Sequence, residues 1–203
     1  MKKWEKDLAR DIRTHTDFDD QDGGVEHPLE YRSWYRGEFT PENTKMLHEI
    51  FTQVKDNCPA ILEIGVCRNE DASSTWTFLK NKKPETIYIG IDMDDKSFLN
   101  NPANNVYTIK ASSSDFEANM EIIKSLGVTE FGFIFIDGWH SINQVLKDWE
   151  YTKHLASDGV VGFHDTTVHP GPTAFVQALN KNIWNVEENL CPEDHGIGFA
   201  WLK

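Results

Sequence analysis

The sequence predicts an α/β fold: a doubly wound, mostly parallel sheet of about seven strands with an antiparallel C-terminal strand. Three observations predict it. From Thr40 onward, short apolar runs alternate with segments of helical period. The fourth run, Phe131-Gly-Phe-Ile-Phe-Ile136, is apolar nearly throughout, as a strand covered on both faces must be. The last two runs, Ile183–Leu190 and Ile197–Leu202, have no helix between them and read as an antiparallel pair. The remaining strand–helix alternation implies parallel strands joined by right-handed crossovers.

The elements follow in order. Thr40-Pro41 reads as an N-cap and first helical residue, and Leu47, Ile50, Phe51 and Val54 repeat on one helical face until Cys58-Pro59 ends it. Ala60–Ile64 is a short buried strand, followed by a polar loop and a helix near Asp71–Lys80. Thr86–Ile91 and Val106–Lys110 are the next strands. Phe116, Met120, Ile123 and Leu126 mark a helix that Gly127 terminates. After the fourth strand, Ile142, Val145, Leu146 and Trp149 give another helical face. Gly159–Phe163 is the fifth strand, Pro170-Gly171-Pro172 a turn and Thr173–Asn180 a helix.

Composition narrows the function. The 203 residues suit one domain, and an AVILMFWYC content of 39% with 13 glycines suits an ordinary core. Residues 1–39 read as an acidic arm or lid and residues 40–203 as the domain. In the arm, Asp17, Asp19, Asp20 and Asp22 precede Gly23-Gly24, superficially like a calcium loop. The closing Glu is missing, since position 29 is Leu and Glu30 is one step late, so a solvated segment is the better reading. A net charge of −13 opposes nucleic acid and anionic membrane surfaces as partners. The three cysteines, Cys58, Cys67 and Cys191, form no CxxC pair, and the charged first residues lack a signal-peptide pattern. A reduced, cytoplasmic setting is expected.

Ligands of such sheets bind beyond the carboxyl ends of the strands, and there the polar residues gather. The ends carry Glu63-Ile-Gly65, Asp92, Ser112-Ser113-Ser114-Asp115, Asp137-Gly-Trp-His140 and His164-Asp165. Any one acid there reads as a helix cap, Asp115 among them; five polar ends together read as a site. Asp92 ends the second strand, where a carboxylate accepts from both hydroxyls of a ribose. The phosphate-cradling G-x-G-x-x-G is absent after Gly65, and Glu70-Asp71 would repel phosphate. A nucleoside without pyrophosphate is favoured, and S-adenosylmethionine fits.

Ile61-Leu-Glu-Ile-Gly-Val66, Gly90-Ile-Asp92, Phe135-Ile-Asp-Gly-Trp-His140 and Gly159-Val-Val-Gly-Phe-His-Asp165 carry a resemblance from about residue 59 to the C-terminus. The chain resembles class I S-adenosylmethionine-dependent methyltransferases of Rossmann-like fold. It is most similar to the small metal-dependent O-methyltransferases: the catechol O-methyltransferase type and the antibiotic-tailoring group with macrocin O-methyltransferase and cephalosporin-hydroxylase-like proteins. The resemblance implies that Glu63 and Gly65 shape the methionine end of the pocket, Asp92 binds ribose, and Ser112 and Ser113 lie near adenine. It implies Asp137 and Asp165 as metal ligands. His164 stands where relatives often carry an acid, and reads either as a third ligand or as a core histidine bonded to a neighbour.

Physical reasoning supports the metal. Carboxylates ending adjacent strands repel at close range, and a divalent cation removes that repulsion. Oxygen ligation suits Mg²⁺ or Mn²⁺, and a histidine ligand would favour Mn²⁺ or Fe²⁺. His140, at the start of the next helix, suits proton abstraction from a hydroxyl; His169 and His195 are weaker candidates. Trp139 either walls the pocket or packs in the core, and Trp34, Tyr35 and Arg36 either close over the acceptor or form a satellite cluster. The expected activity is metal-assisted methyl transfer to a small-molecule hydroxyl, with Asp137 and His140 at the reacting centre. A metallohydrolase, a nicotinamide oxidoreductase and a catalytically silent nucleoside-binding domain are the alternatives.

Overall fold

A computed structural model describes residues 39–66, 73–167, 169–189 and 195–203. The first described helix, α1 (Pro41–Val54), starts as its sequence dictates: Thr40 Oγ1 accepts the Asn43 N–H at 3.3 Å and Pro41 takes the first turn. Proline loses nothing there, because the first N–H groups of a helix have no internal acceptor. There follow β1 (Ala60–Ile64), α2 (Ser73–Asn81), β2 (Ile87–Asp92), β3 (Val106–Lys110) and α3 (Phe116–Ser125). The second half contains β4 (Phe131–Ile136), α4 (Ile142–Asp148), β5 (Leu155–His164), α5 (Pro170–Ala178), β6 (Trp184–Asn189) and β7 (Ile197–Leu202).

The seven strands form one sheet in the order β3-β2-β1-β4-β5-β7-β6. The first five run parallel, and β7 lies antiparallel to both β5 and β6. Strand alternation sends side chains to two cores. On one face Leu62, Ile64, Ile134 and Ile136 meet α4 and α5; on the other Ile61, Phe133 and Phe135 meet Leu47 and Phe51 of α1 and Phe78 of α2. The chain order reverses between β1 and β4, so the binding crevice of this topology opens at their carboxyl ends.

Gly127 follows α3 with φ +85°, the left-handed stop expected of it. Asp115 stands at the N-cap of α3, but its side chain makes no capping bond. β5 begins at Leu155, well before the expected Gly159; exposed Ser157 and Asp158 conceal its start, and its pairing with β4 shifts register between Phe131 and Phe133. Pro170-Gly171-Pro172 is the first turn of α5 rather than a turn outside it. Prolines are tolerated in that position for the reason given for Pro41. A Cβ on Gly171 would overlap the His140 carbonyl oxygen, so glycine lets α5 press onto the start of α4.

Among the described residues no helix is long and apolar enough to cross a membrane. Cys58 is free and buried, and burial pushes its thiol up to about 12. The aspartates of the expected arm, Trp34, Tyr35, Arg36, Cys67, the Glu70-Asp71 pair and Cys191 lie outside the described residues.

Candidate active site

Glu63 is fully buried in β1, on the face covered by α2. Its Oε2 accepts from Thr75 Oγ1 at 2.9 Å and from the Tyr88 hydroxyl of β2, while Oε1 has no hydrogen-bond partner among the described residues. Burial pushes the carboxyl up to about 7, against the bonds from Tyr88, Ser74 and Thr75 that favour the ionised form.

Two residues further, Gly65 turns the chain out of the sheet with φ +83°, and a Cβ there would overlap the carbonyl oxygen of Asp137. Only glycine allows both the conformation and the approach. The Asp137 N–H donates to Ile64 O at 2.8 Å, so the ends of β1 and β4 are held together. Val66 then donates its N–H to Asp92 Oδ2 at 2.8 Å, and Asp94 N–H donates to Asp92 Oδ1 at 2.7 Å. The buried Lys96 ammonium lies 3.9 Å from Asp92 Oδ2. The Asp137 backbone against Gly65 and the Asp92 carboxylate bonded to Val66 place both residues beside one short turn.

Ser112 and Ser113 form the turn after β3. Gln144 of α4 donates Nε2 to Ser113 Oγ at 2.9 Å and to Asp148 Oδ1 at 2.8 Å, and its Oε1 accepts from Ser114 Oγ at 2.9 Å. The Tyr151 hydroxyl donates to Ser113 O at 2.9 Å. Burial pushes the Asp148 carboxyl up to about 6. Sequence reading missed Gln144 and Asp148; the available signal is two polar residues at i,i+4 on a helix whose other face is apolar.

At the ends of β4 and β5, Asp137, His164 and Asp165 converge. His164 Nδ1 lies 3.1 Å from Asp137 Oδ1 and 3.5 Å from Asp165 Oδ2. These three side chains place ligand atoms within 4.8 Å of one another, a spacing that suits a cation. Asp165 holds a left-handed φ of +63°, uncommon outside glycine, which turns its side chain at the strand end. The Phe39 ring packs at 5.0 Å from that of His164. Thus His164 is both bonded to a neighbour, as a core histidine would be, and placed as a ligand would be.

Burial raises the Asp137 carboxyl, assisted by the Asp165 charge, although His164 opposes it. Burial would raise Asp165 too, but the His164 charge and bonds from His140, His164 and His195 hold it well below the usual carboxylate range. Burial opposes the His164 imidazolium, yet the charges of Asp165 and Asp137 outweigh it and hold its pKa well above 6.5. In the absence of a metal, that imidazolium supplies the positive charge the two acids require.

His140 Nε2 lies 2.6 Å from Asp165 Oδ2. Burial alone would lower its pKa, but the bond and charge of Asp165 raise it above 6.5. His169 and His195, weaker candidates by sequence, both face the same acid: His195 Nδ1 is 2.7 Å and His169 Nε2 3.9 Å from Asp165 Oδ1. Trp139 is 54% exposed and stands on the rim, outside the core.

A doubly wound sheet with a reversed terminal hairpin, an acid closing β2 and paired acids closing β4 and β5 defines a class I methyltransferase. The chain belongs to the methyltransferase-domain family, whose profile matches residues 14–166. A search of curated proteins finds no match. Among solved structures it is similar to MycE methyltransferase from the mycinamycin biosynthetic pathway, in complex with Mg, SAH and mycinamycin VI. The identity is 16% and the TM-score 0.59, over 88% of this chain and 56% of that one, so the chain spans just over half of MycE's length. It is similar to an O-methyltransferase from Bacillus cereus in complex with SAH, at 15% identity and TM-score 0.58, over 95% of this chain and 100% of that one. It is also similar to TomG from Streptomyces achromogenes, an O-methyltransferase involved in tomaymycin synthesis, in complex with SAM; there the identity is 14% and the TM-score 0.56, with both chains covered in full. At these identities the likeness establishes the fold.

Proposed function

We propose that the chain is an S-adenosylmethionine-dependent O-methyltransferase, methylating a hydroxyl of a small molecule with the help of a divalent cation. The observation that carries this is the Gly65–Val66 turn, which contacts Asp137 on one side and Asp92 on the other. A nucleoside held at Asp92 and a cation held at Asp137 would therefore share one cleft.

The residues present fit both groups. Asp92 is fixed by two backbone donors and keeps lone pairs for ribose hydroxyls. Glu63 offers its unpartnered Oε1 at the methionine end, and Ser113, braced by α4, stands with Ser112 where adenine would lie. Asp137, Asp165 and His164 have the spacing of a cation site, and the buried His164 Nε2 has no partner among the described residues. S-adenosylmethionine supplies an electrophilic methyl group, and Mg²⁺ or Mn²⁺ supplies Lewis acidity toward a hydroxyl.

This chain's own residues then have defined tasks. Asp165 holds His140 through Nε2, which leaves Nδ1 to take the proton of the acceptor hydroxyl. Trp139, exposed beside it, offers an apolar wall for the acceptor. Likeness to enzymes solved with SAH, SAM and Mg supports the reading. Calorimetry with S-adenosylhomocysteine tests it. Wild-type protein should bind, and Asp92→Asn should bind about 10- to 100-fold more weakly, as loss of a charged hydrogen-bond acceptor predicts. Absence of binding by the wild type would refute the proposal.

A further inference from the structure

Four of the chain's eight histidines, His140, His164, His169 and His195, approach the single carboxylate of Asp165. One ion pair would satisfy an acid; a collar of imidazoles is a different chemistry. His169 and His195 also lie outside the stretch matched to the methyltransferase family, which ends at residue 166.

We infer that His140, His169 and Asp165 form a second cation site, which shares Asp165 with the Asp137–His164–Asp165 group and is selective for a first-row transition metal such as Zn²⁺ or Co²⁺. Their ligand atoms lie within 4.8 Å of one another. The His140 and His169 rings stack with centroids 3.9 Å apart, and each has a nitrogen within that 4.8 Å spacing. A tetrahedral ion with bonds of about 2.0 Å separates its ligand atoms by about 3.3 Å, within reach of small side-chain adjustments. Asp165 and His169 are 2% and 8% exposed, while the His140 side chain at 19% leaves an entry. Asp165 Oδ1 faces His195 Nδ1 at 2.7 Å as well, which adds a third imidazole to the edge of the group. Two imidazoles with one carboxylate favour Zn²⁺, Co²⁺ or Fe²⁺ over Mg²⁺, which prefers an all-oxygen set.

Occupation of this site has a consequence for turnover that rests on reading His140 as the proton acceptor. An ion on His140 Nε2 fixes the ring proton on Nδ1 and removes the lone pair that would take the hydroxyl proton. Zinc there would act as an inhibitor while Mg²⁺ stays in place.

The test uses the full chain, freed of metal with chelator, and Co²⁺ as a spectroscopic probe with millimolar Mg²⁺ present. Visible Co²⁺ bands should appear and persist in Mg²⁺. Both His169→Ala and His169→Asn should weaken Co²⁺ at least tenfold at unchanged thermal midpoint, and Asp137→Asn should retain the bands. Co²⁺ bound equally by the His169 variants, displaced by Mg²⁺ or lost in Asp137→Asn overturns the inference. Calorimetry with S-adenosylhomocysteine on the same sample reports separately on the methyltransferase reading.

Discussion

Nε2 of His140 lies 2.6 Å from Oδ2 of Asp165. The acid thereby fixes which ring nitrogen is occupied and raises the pKa of the other above the ordinary 6.5. His140→Ala should lower kcat by about 10²- to 10⁴-fold, the usual worth of a positioned base, with cofactor affinity unchanged. A base acts only when neutral, so the wild-type rate should climb with pH through a midpoint above 6.5. Release of S-adenosylhomocysteine with any accepted hydroxyl compound supplies the readout. A profile flat across that range would remove His140 from the proton transfer.

Asp137 allows the proposed cation and the proposed nucleoside to be tested separately. Its carboxylate faces His164 at 3.1 Å, while its backbone packs on Gly65. Asp137→Asn keeps the backbone contact and removes the charge. Mg²⁺ binding by calorimetry and chelator-sensitive turnover should both be lost, and S-adenosylhomocysteine affinity should stay within about threefold, a shift of less than 1 kcal/mol. Turnover that survives the substitution and ignores chelator would exclude the metal from the reaction.

The sheet was legible because its strands announce themselves. Phe131–Ile136 is apolar on both faces, and Ala60–Ile64 and Val106–Lys110 begin and end where the sequence places them. The candidate site was legible as far as it lies at strand ends, where topology alone puts Glu63, Asp92, Asp137, His164 and Asp165. What was read only weakly depends on contacts between distant elements. His169 is carried inward by a helix start disguised as a Pro-Gly-Pro turn, and His195 arrives ahead of β7, antiparallel to the strand it serves. No local pattern encodes either meeting. The burial of Glu63 beneath Tyr88 likewise follows from strand pairing, since neighbours across a sheet are set by register.

Glu63 should make stability depend on pH in a defined direction. Its folded pKa is about 7 and its ordinary value 4.5. Between these limits the folded chain holds a proton that the unfolded chain has released, so stability falls as pH rises from about 4.5 to about 7. The difference of 7 − 4.5 = 2.5 units corresponds to about 3 kcal/mol at full effect. Glu63→Gln lacks the ionisation. Its thermal midpoint, relative to wild type, should therefore improve from pH 5 to about pH 7 and level off above that. A constant difference across that range would show that Glu63 does not carry the proton.

Two glycines with nearly the same backbone separate strain from contact. Gly65 and Gly127 have φ of +83° and +85°, yet a Cβ on Gly65 would overlap backbone atoms of Asp137, and one on Gly127 meets nothing within 4 Å. Gly127→Ala should cost about 1–2 kcal/mol, the left-handed penalty alone. Gly65→Ala adds an overlap that no rotamer relieves, of about 1–3 kcal/mol. It also parts β1 from β4, where the Asp137 N–H meets Ile64 O at 2.8 Å. Urea unfolding should show the larger loss for Gly65→Ala, and Mg²⁺ and S-adenosylhomocysteine should both bind it more weakly, because one turn positions Asp137 and Asp92 together. Equal losses for the two variants, with ligand binding untouched, would mean that the Gly65 contact does not hold the two halves of the cleft.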